Sequence, residues 1–379
     1  VTRLRDTVSI ESQQGPGFAI VVDRATQYEI TTDLTAPSAA RFELGDDGTW
    51  SVIRDALAIG ARFSVSVNDR PRVTGRLLTR NLATSADGGA TVQLMVRTLL
   101  ADAMFCAVDA KIGVKNTNLE AIILAAFSRM GLGKADFILR ANLARDVITG
   151  RSSPGTPALE IQNMTEDEAR PHPPESVYAF VERHLSRFGL QMWDSADGKI
   201  VIGAPDDSQP PLYLMTSRRG QAGRSNNLLS AAKTEDYEEV PAELLVYGVG
   251  GGKDQQKARV QFLAVDDKLI AVEPILDRTA IIIDESLKTQ AQARARARRE
   301  MMRRRLMADS WVLETDGLTY WTGQERIPYA VDTVADVRVD VAGGAVGPYL
   351  IYQVRMAGSA ERGHTTSLTC CGKGIWRLS

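Results

Sequence analysis

The sequence predicts an α+β, β-rich protein: two small antiparallel β-barrels, an intervening mixed α/β domain and one long Arg/Ala-rich helix. Three observations predict it. Short apolar segments with period-two alternation, separated by turn residues, fill both ends of the chain. Two capped amphipathic helices occupy the middle. A single helix, Leu287–Met307, then stands between two runs of strands.

In the first hundred residues, Phe18–Val22, Glu29–Thr32, Phe42–Leu44, Arg62–Val67, Arg72–Arg80 and Thr91–Thr98 read as strands. They are punctuated by Gly45-Asp-Asp-Gly48, Asn68-Asp-Arg-Pro71 and Ala86-Asp-Gly-Gly89, whose Gly, Asn, Asp and Pro suit tight turns. Six short strands with close turns predict an antiparallel barrel or sandwich.

The middle changes period. Thr117-Asn-Leu-Glu120 has the form of a capping box. Behind it Leu119, Ile122, Ile123, Ala126, Phe127 and Met130 make a helical stripe that Gly131 closes. A second helix follows Pro173-Pro174, with Val177, Phe180, Val181, Leu185 and Phe188 as its apolar stripe and Gly189 as its stop. Leu190–Trp193 and Lys199–Ile202, across the turn Asp194–Gly198, form a hairpin. Gly150–Pro174 and Ala204–Asn227 are polar, Pro- and Gly-bearing excursions.

Strands Leu228–Thr234, Leu244–Gly248 and Ala280–Ile283 precede the long helix. That helix carries seven arginines between Arg294 and Arg305, with Ala291, Ala295, Met302 and Leu306 roughly in line. Trp311–Thr315, Tyr329–Thr333, Val337–Val341, Leu350–Met356 and Thr365–Thr369 read as strands after it. The predicted domains are 1–105 (first barrel), 106–204 joined by 253–308 (mixed unit with strand and long helix), and 205–252 with 309–379 (second, discontinuous barrel).

Composition narrows the function. The chain has 379 residues, 44% hydrophobic and 24% charged, enough for a sizeable core in two to four domains. No apolar run approaches the roughly 20 residues of a membrane helix, so no stable membrane insertion is expected. The start, Val1-Thr-Arg-Leu-Arg-Asp, has no apolar segment behind it and does not read as a secretory leader. Three cysteines, two of them the adjacent Cys370 and Cys371, are too few for a disulfide framework and predict a reducing, cytoplasmic birthplace. The net charge is −2 and the pI about 6.1, so binding to nucleic acid would rest on the arginine helix alone.

No motif reads as an active site. His172, His184 and His364 lack metal-ligand spacing; His184 reads as a boundary residue of the second helix, and His364 as part of a turn. Gly248-Val-Gly-Gly-Gly-Lys253 has Tyr247 where a phosphate loop needs its first glycine, and Asp254 where it needs Ser or Thr. It reads as a strand-end glycine loop. No catalytic, cofactor or metal residue is predicted. The arginine helix has three readings: a solvated face, a phosphate contact, or an intersubunit contact. In the last, Arg294, Arg298, Arg299, Arg303 and Arg305 would pair with a neighbour's carboxylates, for which Glu235, Asp236, Glu238 and Glu239 are candidates.

The order Ile281-Ile-Ile-Asp-x-Ser, Arg/Ala-rich helix, strand, aromatic pair Tyr320-Trp321, then strands to the end resembles the baseplate hub proteins of contractile-tailed phages. Mu-type tail proteins and the late-control-D group are the nearest comparison. Two further stretches carry the same resemblance. One is Gly60–Val67, a turn, then Val73-Thr-Gly-Arg-Leu77. The other is the second helix with Arg187-Phe-Gly-Leu190 and its hairpin. The likeness is densest over Val177–Ile202 and Ala280–Gly372.

This resemblance implies a structural protein, not an enzyme, that forms a homotrimeric ring. Three chains with two similar barrels each would present six, adapting a six-fold tail tube to a trimeric spike around a channel for DNA. The implied partners are further copies of the chain, the spike, the tail-tube protein and baseplate wedge proteins. DNA would pass without specific binding. The implied place is the virion tail baseplate, after assembly in the host cytoplasm. Two rival functions are a cell-wall hydrolase at the tail tip and a nucleic-acid-binding protein that uses the arginine helix.

Overall fold

The computed structural model describes residues 6–13, 19–21, 25–45, 57–85, 89–109, 112, 118–140, 169–172, 174–218, 226–249, 259–266, 278–340, 344–359 and 363–373. The expected α+β, β-rich class is what it shows, dominated by one large sheet.

The N-terminal strands are β1 (Val8–Ser12), β2 (Ala19–Val21), β3 (Ala25–Asp33), β4 (Ala39–Gly45), β5 (Arg62–Val67), β6 (Arg70–Ser85) and β7 (Gly89–Thr98). Only β1 has no counterpart in the sequence reading. β5 and β6 are joined by Asn68-Asp69, both at positive φ (48° and 62°), as a two-residue hairpin turn demands. Turns at residues 46–48 and 86–88 lie outside the described residues.

Helix α1 (Leu99–Phe105) continues directly from β7 and was not legible as a helix. α2 (Leu119–Ser128) begins at Asn118, whose side chain accepts from the Ala121 N–H; Thr117 lies outside the described residues. Gly131, at φ 76°, ends it as expected, with Leu132 N–H returning to the Phe127 carbonyl. A short β8 (Phe137–Leu139) follows, then α3 (Val177–Ser186), β9 (Gln191–Asp194) and β10 (Ile200–Gly203). β8 pairs parallel with β10, which pairs antiparallel with β9. Of the Gly150–Pro174 excursion only Ala169–His172 and Pro174 are described. α3 is capped by Ser176, whose hydroxyl accepts from Ala179 N–H at 3.1 Å. Ser176→Ala is expected to cost about 1 kcal/mol in urea denaturation.

The remaining strands are β11 (Tyr213–Ser217), β12 (Leu228–Glu235), β13 (Glu243–Val249), β14 (Arg259–Val265) and β15 (Thr279–Ile283). Helix α4 (Gln290–Ala308) precedes β16 (Asp309–Asp316), β17 (Thr319–Trp321), β18 (Arg326–Pro328), β19 (Thr333–Val339), β20 (Ala345–Ser359) and β21 (Gly363–Gly372). Of the predicted strand Tyr329–Thr333 only Thr333 is in a strand, at the start of β19, and residues 331–332 form a bend. Asp332 sits there at φ 58°, donates its N–H to the Ile351 carbonyl and pairs with Arg140. A left-handed residue cannot continue a strand. The excursion Ala204–Asn227, in turn, contains β11, which pairs parallel with β19.

Sheet order is β12-β16-β21-β20-β3-β4-β7-β6-β5-β1-β2, with β19 on β20 and β11 on β19. Pairing of β20 with β3, from Gln353↔Asp33 to Ser359↔Gln27, fuses the two ends of the chain into one sheet. Among the described residues this path is open, and neither expected barrel is seen to close. One core serves both halves: Phe42, Phe63 and Val65 share a cluster with Trp311, Leu313 and Tyr329. A second cluster gathers Leu100, Ile123, Phe127, Phe180, Leu185 and Ile202 around α1, α2, α3 and β8–β10. Buried Asp194 ties that cluster to the large sheet, accepting from Ser38 N–H and Thr98 Oγ1 at 2.8 Å each. Burial pushes its carboxyl up to about 6. No disulfide joins the cysteines, and Cys370 and Cys371 are buried.

Candidate functional site

The long helix starts at Gln290, three residues later than expected, at a capping box: Thr289 accepts from Gln292 N–H, and the Gln292 side chain accepts from Thr289 N–H. Its buried apolar residues include Ala293, Ala297, Met301, Met302 and Leu306; of the expected line Met302 and Leu306 are buried, and Ala291 and Ala295 are not. Small alanines at 293 and 297 let α4 lie close on the three-stranded sheet β14-β13-β15, where Leu244, Val246 and Leu287 complete the contact. Gly248 belongs to that contact, since a Cβ there would meet the Leu287 carbonyl at 2.6 Å. The rest of the glycine-rich stretch lies outside the described residues.

The structure distributes the predicted arginines unevenly. Glu300 is buried (7% exposed) and accepts from Arg304 Nε at 3.0 Å, Arg303 Nη2 at 3.1 Å and Arg296 Nη1 at 3.3 Å. Although burial opposes its ionisation, the three guanidinium groups hold its carboxyl down at about 2. Arg299 pairs with Glu182 on α3, and Arg305 with Asp266 after β14. These ion pairs clamp α4 between the mixed unit and the small sheet. Arg294 lies 5.8 Å over the Phe262 ring. Arg298 has its Nε buried without a hydrogen-bond partner, and its charge is disfavoured by burial and by Arg294.

The acidic residues lie close by in the same chain. Glu235 ends β12 and pairs with Lys233; Asp236 Oδ1 accepts from Glu238 N–H at 3.0 Å. The Glu239 carbonyl accepts from Arg304 at 3.2 Å, and its carboxylate favours the Arg303 charge. Among the described residues none of the four acidic side chains forms an ion pair with α4. The helix expected from the sequence is present, and the carboxylates that engage it within the chain, Glu300, Glu182 and Asp266, are not the ones the sequence reading named. Glu300, alone among the arginines, was the available signal.

The histidines stand apart from one another. His184 is fully buried on α3, edge-on to Phe180 at 4.7 Å, rather than at a boundary. Burial and nearby arginines push it well below its usual pKa, so it is neutral. His364 lies in β21, not a turn, with Nδ1 2.6 Å from Tyr28 Oη, and His172 N–H donates to Glu175. Among the described residues no group of three or more metal-ligating side chains occurs. No described helix is long and apolar enough to cross a membrane.

No protein-family model matches the sequence, and no curated protein matches it. Solved structures do. A tail protein from Neisseria meningitidis is 18% identical, with 98% of each chain covered and a TM-score of 0.74. The 43 kDa tail protein of prophage MuSo2 from Shewanella oneidensis is 15% identical, covering 98% of this chain and 99% of that one, with a TM-score of 0.71. A component of the Escherichia coli type VI secretion system, described as similar to T4 bacteriophage tail proteins, is 12% identical. It covers 98% of this chain and 78% of its own, at a TM-score of 0.51. Over 98% of its length this chain has the fold of these tail proteins.

Proposed function

We propose that this chain is the structural hub of a tail baseplate. Three copies form a ring between a six-fold tail tube and a trimeric spike, around a channel through which DNA passes. The observation that carries this reading is the match to two tail proteins, one of them from a prophage, with 98% or more of both chains covered. An embedded hydrolase domain would leave a large part of one chain unmatched.

In this reading the two ends of the chain, whose strands share one sheet, would be the two similar units by which three chains imitate six. Each set would complete its barrel with the turns between its strands or with a neighbour's strand. The near-neutral chain suits a channel that must not trap phosphates. The partners are further copies of the chain, the spike, the tube protein and wedge proteins; the place is the virion. No catalytic role is assigned. Of the proposed contact arginines, Arg299, Arg303 and Arg305 have carboxylates within the chain. Arg294 and Arg298 are thus the ones carried forward as contacts to a neighbour. The expected result of gold-labelled antibody against this chain, applied to tail particles, is label confined to the tip beside the baseplate. Label along the tube, or none on intact or tip-stripped tails, would contradict the assignment.

A second machine shares the fold, since a type VI secretion component matches at a TM-score of 0.51. A secretion hub would predict particles without DNA, which nuclease-protected DNA in the purified particles would exclude.

A further inference from the structure

Among the described residues α4 covers one face of the sheet β14-β13-β15, and the other face carries an apolar row beside the polar Glu243, Gln261 and Thr279. Inward, Leu244, Val246, Phe262 and Ile282 meet α4. Outward, Leu245 stands between Leu263 and Ile281 in register, so these three form one row across the sheet. Ile283 and Ile281 are 74% and 61% exposed, and Leu263 and Val265 are 43% exposed each. Continuous runs such as Ala280-Ile-Ile-Ile283 are what a strand buried on both faces looks like. α4 accounts for half of that pattern.

The edge tells the same story. Among the described residues β15 pairs with β13 alone, and its five residues, Thr279–Ile283, contain no charge and no proline. Its register with β13 has no bulge. Edge strands left open to solvent usually carry one of these devices against unwanted pairing. The edge strand β12, by comparison, carries Lys233 and Glu235 and has a register break.

We propose that the outer face and free edge of β15 form a contact to a second copy of this chain; this rests on the ring reading above. The exposed apolar side chains amount to on the order of 400 Å², near the top of what monomers leave open. That is about half of one partner's share of a standard protein interface. The rest must come from surface beside it, so the occupant is a folded protein and not a short peptide. A ring gives every chain identical neighbours, which makes a second copy the partner present at highest effective concentration during assembly.

The test is Ile281→Thr/Ile283→Lys in the full chain, with mass by light scattering across a concentration series. Both side chains point to solvent in the single chain, so far-UV circular dichroism and the urea midpoint should be unchanged. The expected result is a wild type whose mass rises to a multiple of 41.3 kDa and a variant that stays at 41.3 kDa, at least tenfold weaker in association. A variant that associates as well as wild type overturns the face while leaving the ring reading intact. A wild type that stays monomeric throughout, alone and with the spike, overturns both. Amide exchange at 279–283 adds a further check: protection in a persistent monomer would assign the cover to the chain's own 267–277 connection and overturn the second copy.

Discussion

Gly75→Ala is expected to abolish soluble, folded protein or to destabilise it by more than about 3 kcal/mol. Gly75 lies in β6 between Phe63 of β5 and Thr98 of β7. A Cβ there would collide with the Arg97 carbonyl group and come within 2.8 Å of Thr98 Cα. These are backbone atoms of a paired strand, so they cannot rotate away as a side chain would. Relief would require β7 to separate from β6 where β7 turns into α1, next to the Thr98–Asp194 hydrogen bond. The measurement is the soluble yield and urea midpoint of the variant. Gly133→Ala is a fair control, because a Cβ there meets nothing within 4 Å.

Glu300→Ala is the second large effect, expected to cost about 2–3 kcal/mol. Removing one partner of a buried charge cluster costs roughly 3–5 kcal/mol. The lower figure applies because Arg296, Arg303 and Arg304 keep 23%, 57% and 27% of their side-chain surface in solvent, which screens them. Three guanidinium groups would then face each other across an empty site. The pH dependence has a definite sign. The folded carboxyl is held at about 2 against an ordinary 4.5. Its contribution is therefore fully present above about pH 4.5 and is lost as pH falls through about 2. After discounting for solvent, that contribution is about 1–2 kcal/mol. Urea midpoints measured from pH 5 to pH 2.5 should fall less steeply in Glu300→Gln than in wild type. Equal slopes would mean that Glu300 is not ion-paired in solution.

Much of the element list was legible in the sequence because its signals are local. Alternating apolar residues marked β3–β7, and the turn Asn68-Asp69 was recognisable from its composition. Gly131 and Gly189 marked helix ends through their need for positive φ (76° and 69°). The local hairpin β9–β10 was legible, but pairing between distant strands was not. That β20 lies beside β3, more than 300 residues earlier by number, goes with a shared core to which Phe42 and Trp311 both belong. Alternation specifies which side chains face inward but not which strands are neighbours. Hence two barrels were expected where one fused sheet is seen.

The site divides in the same way. Arginine content pointed to α4, but an Arg/Ala repeat has apolar residues on several faces. The Ala291 and Ala295 line was therefore as plausible as Ala293 and Ala297 until the sheet beneath was known. The carboxylates Glu182 and Asp266 are distant in sequence and reach the helix only through tertiary packing. Tyr329–Thr333 had strand-like composition, yet Asp332 is held left-handed by partners on β20 and after β8.

The central claim is a ring of three. Its most direct measurement is the mass of the purified chain by light scattering, with negative-stain images of the same sample, alone and after addition of the cognate trimeric spike. A mass near three times 41.3 kDa, with closed rings that have a central opening, is the predicted result. A chain that remains at 41.3 kDa at every concentration, with and without the spike, would contradict it.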